Sequence, residues 1–233
     1  MNNKVAGIIV DSVSTDMDFL HSLSKLEQSG KRIPVIALER DLTGVDLTSI
    51  FSDNYQGGFM AAKHLVQKGA QHPAHIYGLQ DAPWSHDRHD GFRDCLQQNG
   101  VYDSQLVVKS DFSLTGGYQA AEQLIHCGKK FDAIFAANDL MVAGAIKTLA
   151  LHNIRVPEDV IVVGFDNTYV ATLTSPPITT IDLPKIQLGI ESGKAIIRMI
   201  ENSPAVERIC LPLTLMERRS SNADMPAVIH CAK

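Results

Sequence analysis

The chain has 233 residues, of which 45% are hydrophobic and 20% charged, and its formal net charge is −5. This composition is typical of a globular protein long enough to form one large domain or two smaller lobes. Because proteins that bind nucleic-acid phosphates are usually basic, the acidic balance argues against nucleic-acid binding by the chain as a whole.

The apolar runs of the sequence are as long as strands, not as long as signal peptides or membrane spans. We therefore expect a cytoplasmic protein without membrane partners. The four cysteines, Cys95, Cys127, Cys210 and Cys231, are far apart and form no Cys-x-x-Cys pair. This spacing indicates free thiols and excludes the usual zinc patterns.

Strand-like and helix-like segments alternate along the sequence. The predicted strands are 5–10, 34–38, 49–52, 75–77, 105–109, 133–136, 160–165, 178–181, 207–211 and 213–216. The predicted helices are 15–30 with Gly30 as its stop, 55–68, 85–99, 114–126, 139–152 and 186–202. Residues 221–233 lack periodicity, which predicts a loose tail. This alternation is typical of parallel sheets covered by helices on both faces, and the number of strands favours two sheets.

Two of these strands end in adjacent polar residues. Asn138 and Asp139 follow the strand 133–136, and Asp166 and Asn167 follow the strand 160–165. In open parallel sheets, ligands bind at the carboxyl ends of the strands. The two strand ends therefore predict a site for a small polar molecule.

Four stretches are more specific: DNYQGGFMAAKHL from Asp53, FDAIFAANDLMVAGA from Phe131, VPEDVIVVGFDN from Val156 and PPITTI from Pro176. In their order and spacing they resemble the effector-binding domain of the lactose/galactose repressor family of bacterial transcription regulators. The resemblance covers roughly residues 4–219.

The resemblance implies an α/β, periplasmic-binding-protein-like fold, in which two doubly wound parallel-sheet lobes are joined by three crossover strands. The first lobe would hold residues 1–51 and 184–212, and the second residues 53–182 and 213–220. A sugar or similar small effector would bind between the lobes of a homodimer. Leu140, Met141 and Ala145 are candidates for the core or for a dimer contact, since the family pairs through this region and through the helix at 55–65.

In the family, the effector controls DNA binding through an N-terminal helix-turn-helix. No recognition helix of that kind is visible in this sequence, and about two βα units of the first lobe are missing. We therefore expect a truncated or fragment chain with an incomplete first lobe, and operator binding only in a full-length form.

The resemblance aligns Asp166 with an effector ligand, and a carboxylate there can accept charge-assisted hydrogen bonds from neighbouring hydroxyls. Its alternative role is to cap a helix at residues 168–173. Asn138 can donate and accept hydrogen bonds, so we expect it to be a ligand and Asp139 to be the helix cap.

Arg88 matches the family arginine that points into the effector site, where a guanidinium can hold vicinal hydroxyls or an anion. The alternative is a solvated arginine paired with Asp87 or Asp90. Phe112 matches a position where an aromatic ring packs on the effector, although a plain core role is nearly as compatible with the sequence.

Glu39 follows a predicted strand of the first lobe and is a candidate carboxylate for the effector. A surface ion pair with Arg40 or Lys4 explains it about as well. Trp84 and His86 are weaker candidates from the same entry loop as Arg88.

Two His-x-x-His pairs occur, His72 with His75 and His86 with His89, but neither has an acidic partner in a known ligand pattern. We expect these four to be surface histidines, and we expect neither a metal nor a cofactor. The common nucleotide-binding, hydrolase and metalloprotease motifs are also missing. A binding module is therefore favoured, with a sugar receptor of a transport system or an enzyme on the same scaffold as alternatives.

Overall fold

The computed structural model describes residues 5–11, 17–28, 30–42, 45–201 and 207–225. The chain forms two compact units and passes from one to the other three times. Unit 1 contains Met1–Asp53 and Pro184–Pro212, and unit 2 contains Asn54–Leu183 and Leu213–Lys233.

Twelve strands and seven α-helices make up the described part of the chain. The strands are β1 (Ile8–Asp11), β2 (Glu27–Gln28), β3 (Lys31–Arg32), β4 (Val35–Leu38), β5 (Thr48–Ser52), β6 (Pro73–Tyr77), β7 (Val107–Lys109), β8 (Ala133–Ala136), β9 (Ile161–Asp166), β10 (Thr179–Asp182), β11 (Arg208–Leu211) and β12 (Thr214–Met216). The helices are α1 (Met17–Ser24), α2 (Asn54–Gln67), α3 (Pro83–Gln98), α4 (Leu114–His126), α5 (Asp139–Leu151), α6 (Val170–Leu173) and α7 (Lys185–Ile200). Apart from the first helix, the predicted elements are observed with ends shifted by at most three residues.

Unit 1 is built on a four-stranded sheet in the order β1-β4-β5-β11, in which all neighbours run parallel. Its apolar core joins α1 to β4 and to the segment that leads into β5. The core residues are Leu20, Leu23, Val35, Ala37, Leu42, Val45 and Leu47. The strands that are present therefore form a continuous sheet.

The predicted helix over residues 15–30 is wrong in its second half. Helix α1 ends at Ser24, and β2 and β3 then form an antiparallel hairpin. Gly30 has φ +72° between these strands, a conformation that costs glycine little. Gly30 therefore serves a strand turn and does not stop a helix.

Unit 2 is built on a six-stranded sheet in the order β12-β10-β9-β8-β6-β7, in which only β12 runs antiparallel to its neighbour. Side chains alternate between two cores. Ile134 and Ala136 of β8 pack with α4 and α5, whereas Ala133 and Phe135 pack with α2 and α3. The sheet is thus buried on both faces, as the continuous apolar strands of the sequence predicted.

Glycines bring the helices of each pair in unit 2 into close contact. A Cβ atom at Gly58 of α2 would overlap the main-chain oxygen of Arg88 in α3. On the other face, a Cβ at Gly144 of α5 would overlap the main-chain oxygen of Leu114 in α4. Both helix crossings therefore require glycine at the point of contact.

The predicted loose tail from residue 221 is wrong at its start. Ser220 and Ser221 are buried in a 3-10 turn, and the Ser220 hydroxyl donates to the main-chain oxygen of Val162 at 2.6 Å. The Ser221 hydroxyl lies 2.7 Å from that of Thr179. Ser220 and Ser221 are thus hydrogen-bonded to β9 and β10, and residues 226–233 lie outside the described ones.

The α4–α5 crossing gives a stability prediction. Gly144→Ala should destabilise the protein by about 2 kcal/mol or more, because the new methyl group meets main-chain atoms that cannot rotate away. Gly189→Ala is the matched control: no atom lies within 4 Å of its Cβ position, so the better helix former should raise stability by up to about 1 kcal/mol. Urea unfolding of dilute protein measures both changes. Equal effects of the two variants would contradict the role assigned to Gly144.

Candidate functional site

The carboxyl ends of the unit 2 strands bring together four of the five predicted site residues. Arg88 is in α3, which follows β6; Phe112 follows β7; Asn138 follows β8; and Asp166 ends β9. We call Arg88, Phe112, Asn138 and Asp166 the carboxyl-edge cluster. Direct contacts join Arg88 to Asp166 and Asn138 to Phe112.

Arg88 is buried, with 4% of the residue exposed. Its Nε donates to Oδ1 of Asn54 at 2.8 Å, and Nη1 donates to the main-chain oxygen of Ala137 at 2.6 Å. Nη2 lies 3.4 Å from Oδ1 of Asp166, and the guanidinium carbon is 3.6 Å from the centroid of the Phe165 ring. The alternative of a solvated arginine is therefore wrong.

This environment makes Arg88 a support for the cluster. A guanidinium is suited to it, because its planar fork can bond several acceptors while its face rests on an aromatic ring. The guanidinium connects the start of α2 with the segments that follow β8 and end β9. It thereby fixes the Asp166 carboxylate at the edge of the sheet.

The structural role that we expected of Asp139, the cap of α5, belongs to Asn138. Asn138 caps α5, since its Oδ1 accepts a hydrogen bond from the main-chain N–H of Met141 at 2.9 Å. Its Nδ2 donates to the main-chain oxygen of Phe112 at 2.9 Å. The prediction of Asp139 as the cap is wrong; Asn138 takes that position because its backbone is extended, with φ −155° and ψ 169°.

Asp139 is completely buried beneath the site. Its Oδ2 accepts hydrogen bonds from the main-chain N–H of Thr168 at 2.6 Å and from the Thr168 hydroxyl at 3.1 Å, and its Oδ1 accepts one from the Thr180 hydroxyl at 2.7 Å. Burial is the main cause that raises the pKa of Asp139 to about 6, and the nearby Asp166 acts in the same direction. Asp139 therefore ties the loop after β9 to β10.

That loop begins with two residues in the left-handed region, Asp166 with φ +94° and Asn167 with φ +49°. Such conformations cost energy for residues other than glycine and persist when their surroundings hold them. The Asp166 side chain is about one quarter exposed (25%), so a ligand can reach it. The expected alternative, Asp166 as a helix cap, is not observed, because α6 begins at Val170 and its N-cap is Tyr169.

Asn167 is held by a residue that our sequence reasoning missed. Arg218 Nη2 donates to Oδ1 of Asn167 at 2.7 Å, and Asn167 Nδ2 donates to Oδ1 of Asp182 at 2.8 Å. Arg218 Nη1 also donates to the main-chain oxygen of Ile178 at 2.8 Å. The only sequence signal for Arg218 was its place two residues after the last strand.

Phe112 also has a left-handed backbone, with φ +65°, and its half-buried ring lies against Gly78. It packs against the core formed with α4 and α5, so the core interpretation holds at least in part. Glu39 belongs to unit 1, where it follows β4 with φ +52° and its main-chain N–H donates to the oxygen of Ile50 at 2.9 Å. Lys4, one of its expected ion-pair partners, lies outside the described residues.

The expectation that all four motif histidines lie on the surface is wrong for His75. It is fully buried, and its ring stacks on those of His89 and Phe135 with centroids 5.3 and 4.9 Å away. Burial lowers the pKa of His75 to about 3. Its Nδ1 lies 3.0 Å from the main-chain oxygen of Phe135, and burial keeps this histidine a neutral part of the core.

The described residues include no group of three or more His, Cys, Asp or Glu side chains placed to hold a metal ion. Met141 and Ala145, considered as dimer contacts, are fully buried in the core, whereas Leu140 is partly exposed. Within the same described ranges, we find no helix long and apolar enough to span a membrane.

Comparison with known proteins identifies the fold. A family model described as a periplasmic binding protein-like domain matches residues 62–221. The chain belongs to this family. The resemblance recognised from the four sequence stretches, and the predicted fold class, are thereby confirmed.

The proteins most similar to this chain in the comparison include bacterial transcription regulators. The HTH-type transcriptional regulator DegA of Bacillus subtilis is 32% identical over 222 residues, which cover 94% of this chain and 65% of DegA. The structure of a transcriptional regulator CelR–cellobiose complex has a TM-score of 0.83 at 32% identity, covering 93% of this chain and 66% of that one. A LacI-family regulator from Enterococcus faecium with bound ribose has a TM-score of 0.81 at 28% identity, with 93% and 79% covered.

The matched region spans only part of these regulators. For the first three curated relatives, it covers between 56% and 65% of their length.

Asp139 gives a prediction for the pH dependence of stability. Its pKa is about 6 in the folded protein but close to ~3.9 in an unfolded chain. At pH values below the pKa of the unfolded chain, the carboxyl group makes its full contribution to the stability of the folded protein. This contribution is lost as the pH rises through the folded pKa of about 6. Relative to Asp139→Asn, the free energy of unfolding of the wild type should fall between pH 4 and 6 by up to about 1.4 kcal/mol per pH unit.

Urea unfolding at several pH values from 4 to 7.5 measures this difference. The exposed Asp224→Asn serves as the control and should follow the wild type throughout. Parallel curves for wild type and Asp139→Asn would show that the buried carboxyl group is not a source of the pH dependence.

Proposed function

We propose that the chain is the effector-binding domain of a bacterial transcription regulator, and that the carboxyl-edge cluster contributes to a site for a sugar or a similar polyhydroxylated molecule. The observation that carries the proposal is the Asp166 carboxylate. It is held in a left-handed turn against the buried Arg88 and is still one quarter exposed.

The chemistry of this carboxylate suits a carbohydrate. Charge-assisted hydrogen bonds from hydroxyl groups are stronger than neutral ones, and one carboxylate can accept from two neighbouring hydroxyls. Arg88 already contacts Asp166 from the buried side, so its main effect on binding is to orient the carboxylate. Asp166 is therefore the proposed direct ligand and Arg88 the positioning residue.

Asn138 and Phe112 have narrower proposed roles. Asn138 is 9% exposed, and both of its side-chain polar atoms already make a hydrogen bond. It can offer an effector only the second hydrogen of Nδ2 or the second lone pair of Oδ1. The half-buried Phe112 ring offers an apolar surface on which a sugar ring can pack. Glu39 remains a proposed ligand from unit 1.

The relatives support a carbohydrate as the class of effector. The CelR structure contains cellobiose, and the Enterococcus faecium regulator contains ribose. Both structures match more than nine tenths of this chain. The proposed role is binding without catalysis, because the relatives compared above are regulators and not enzymes.

The regulatory part of the proposal rests on the same relatives. In a full-length regulator, we expect binding of the effector to control operator binding by a helix-turn-helix, in the cytoplasm and in a homodimer.

Calorimetry of the purified chain against a carbohydrate panel that includes ribose and cellobiose tests the proposal. For any sugar that binds, Asp166→Asn should weaken affinity about tenfold or more, because it replaces charge-assisted hydrogen bonds by neutral ones at similar volume. Asp224→Asn, in an exposed position of the same unit, is the control and should bind like the wild type.

Two results would count against the proposal. Unchanged affinity in Asp166→Asn would remove Asp166 as the ligand, and failure of every sugar in the panel would remove the carbohydrate class. Circular dichroism of each variant shows that a loss of binding is not a loss of folding.

A further inference from the structure

The turn after β9 carries the proposed ligand Asp166 in an unusual backbone conformation. We call residues 166–168 the β9 turn. Asp166 and Asn167 are consecutive residues with positive φ, +94° and +49°. This conformation is costly for a residue other than glycine and persists only where the surroundings hold it. The contacts of the β9 turn therefore decide where the Asp166 carboxylate lies.

The main chain of the β9 turn is held from its buried side by Asp139 and Thr180, which are both completely buried. The N–H of Asn167 donates to the Thr180 hydroxyl oxygen at 3.3 Å, and the N–H of Thr168 donates to Oδ2 of Asp139 at 2.6 Å. The Thr180 hydroxyl in turn donates to Oδ1 of Asp139 at 2.7 Å. The two N–H groups that follow Asp166 therefore both have a buried acceptor.

The side chain of Asn167 is held at both of its polar atoms. Its Oδ1 accepts a hydrogen bond from Nη2 of Arg218 at 2.7 Å, and its Nδ2 donates to Oδ1 of Asp182 at 2.8 Å. In the parallel pairing of β9 with β10, Asp182 lies beside Asp166. Asn167 therefore cannot change its orientation without losing two hydrogen bonds, and one of them depends on Arg218.

Arg218 is fixed at the start of β10. Its main-chain N–H donates to Oγ1 of Thr179 at 2.8 Å, and the Thr179 hydroxyl donates to the main-chain oxygen of Arg218 at 2.8 Å. Nη1 donates to the main-chain oxygen of Ile178 at 2.8 Å. Burial lowers the pKa of Arg218, and the negative charges of Asp139 and Asp182 oppose this change. The guanidinium therefore has a fixed position from which it bonds the turn.

We propose that Arg218 is a positioning residue of the effector site, which acts through Asn167 to hold the Asp166 carboxylate in the orientation that binds the effector. This inference rests on the function proposed above, because it takes Asp166 as the ligand. The role differs from that of Arg88, which contacts Asp166 itself. Arg218 bonds the next residue along the chain and so acts on the backbone that carries the carboxylate.

Loss of the Arg218 contact should lower the affinity although the ligand carboxylate stays in place in the sequence. Without this contact, the β9 turn is expected to visit other conformations, in which Asp166 does not face the effector. Apparent affinity falls in proportion to the fraction of molecules in the binding conformation. If that fraction drops to about one fifth, the dissociation constant rises about fivefold.

Calorimetry of the full chain with ribose and cellobiose tests this role. Arg218→Met should raise the dissociation constant of a sugar that binds by about fivefold or more, because methionine keeps an apolar side chain but removes the donors. Arg219→Met is the matched control. Arg219 is the next residue, and its Nη1 also donates to main-chain oxygens, those of Ala223 and Met225, which lie outside the β9 turn. Its replacement should leave the affinity unchanged.

A second binding measurement tests whether Arg218 acts through Asn167. In Asn167→Ala, the acceptor of the Arg218 hydrogen bond is already missing, so adding Arg218→Met should change the dissociation constant by no more than about twofold. An equal effect of Arg218→Met in the wild type and in Asn167→Ala would show that Arg218 does not act through the turn, and would overturn the proposal.

Amide hydrogen exchange, measured by NMR without any sugar, tests the positioning separately from binding. In Arg218→Met, the amides of Asn167 and Thr168 should exchange about tenfold faster or more, because the turn opens more often. In Arg219→Met they should exchange as in the wild type. If no sugar binds the wild type, the proposed function fails, whereas this measurement still decides whether Arg218 holds the turn. Unchanged exchange in Arg218→Met, or unchanged affinity for a sugar that binds the wild type, would overturn the positioning role.

The partners of Asn167 allow a rescue experiment that leaves Arg218 in place. Asn167→Asp puts a carboxylate where the amide donated to Asp182 at 2.8 Å, so sugar affinity should fall about tenfold and the turn amides should exchange faster. Adding Asp182→Asn returns a donor to the pair while Arg218 keeps its acceptor, so both measurements should return toward the wild type. No loss in the single variant, or no recovery in the double one, would contradict the arrangement around Asn167.

Discussion

The buried guanidinium of Arg88 is the interaction on which the carboxyl edge of unit 2 depends. A charge removed from water costs free energy unless it is paired and hydrogen-bonded. Arg88 meets this requirement with Asn54, the main-chain oxygen of Ala137 and Asp166, above the ring of Phe165. One side chain therefore fixes three chain segments that are distant in sequence, and their positions define the site.

The position of Arg88 is itself a result of helix packing. Gly58 lies against the main-chain oxygen of Arg88, and Gly91, one turn further along α3, lies against that of Tyr55. Because side chains at either glycine would force α2 and α3 apart, the close crossing sets where the guanidinium can reach. The geometry of the site therefore depends on two glycines at the contact between these helices.

A sequence predicts elements well when one local pattern decides them. The apolar run at 133–136 and the helix after it were predicted with the correct boundaries or within one residue, because burial on both faces and helical spacing both leave strong signals. The hairpin that replaces the end of the first predicted helix was missed. Its strands are only two residues long, and the apolar spacing up to Leu26 continues a helical pattern.

The site was predicted less completely than the fold, because its roles depend on contacts between distant segments. The motif AAND showed that two polar residues follow a strand, but local propensity could not decide which of them caps α5. Asn138 is the cap because it directly precedes α5 with an extended backbone, whereas Asp139 is the first residue of the helix and is held in the interior by Thr168 and Thr180. Arg218 was missed for the same reason, since its partner Asn167 is 51 residues away in the sequence.

The two units differ in how their helices are covered. In unit 2, α2 with α3 and α4 with α5 pack in pairs, so that each helix is supported by its neighbour as well as by the sheet. In unit 1, α7 packs on β1, β4 and β5, and four of its isoleucines, Ile186, Ile190, Ile197 and Ile200, are exposed. The carboxyl-edge cluster therefore lies in the unit whose helices are held both by the sheet and by a neighbouring helix, and this support suits side chains that must keep fixed positions to bind a ligand.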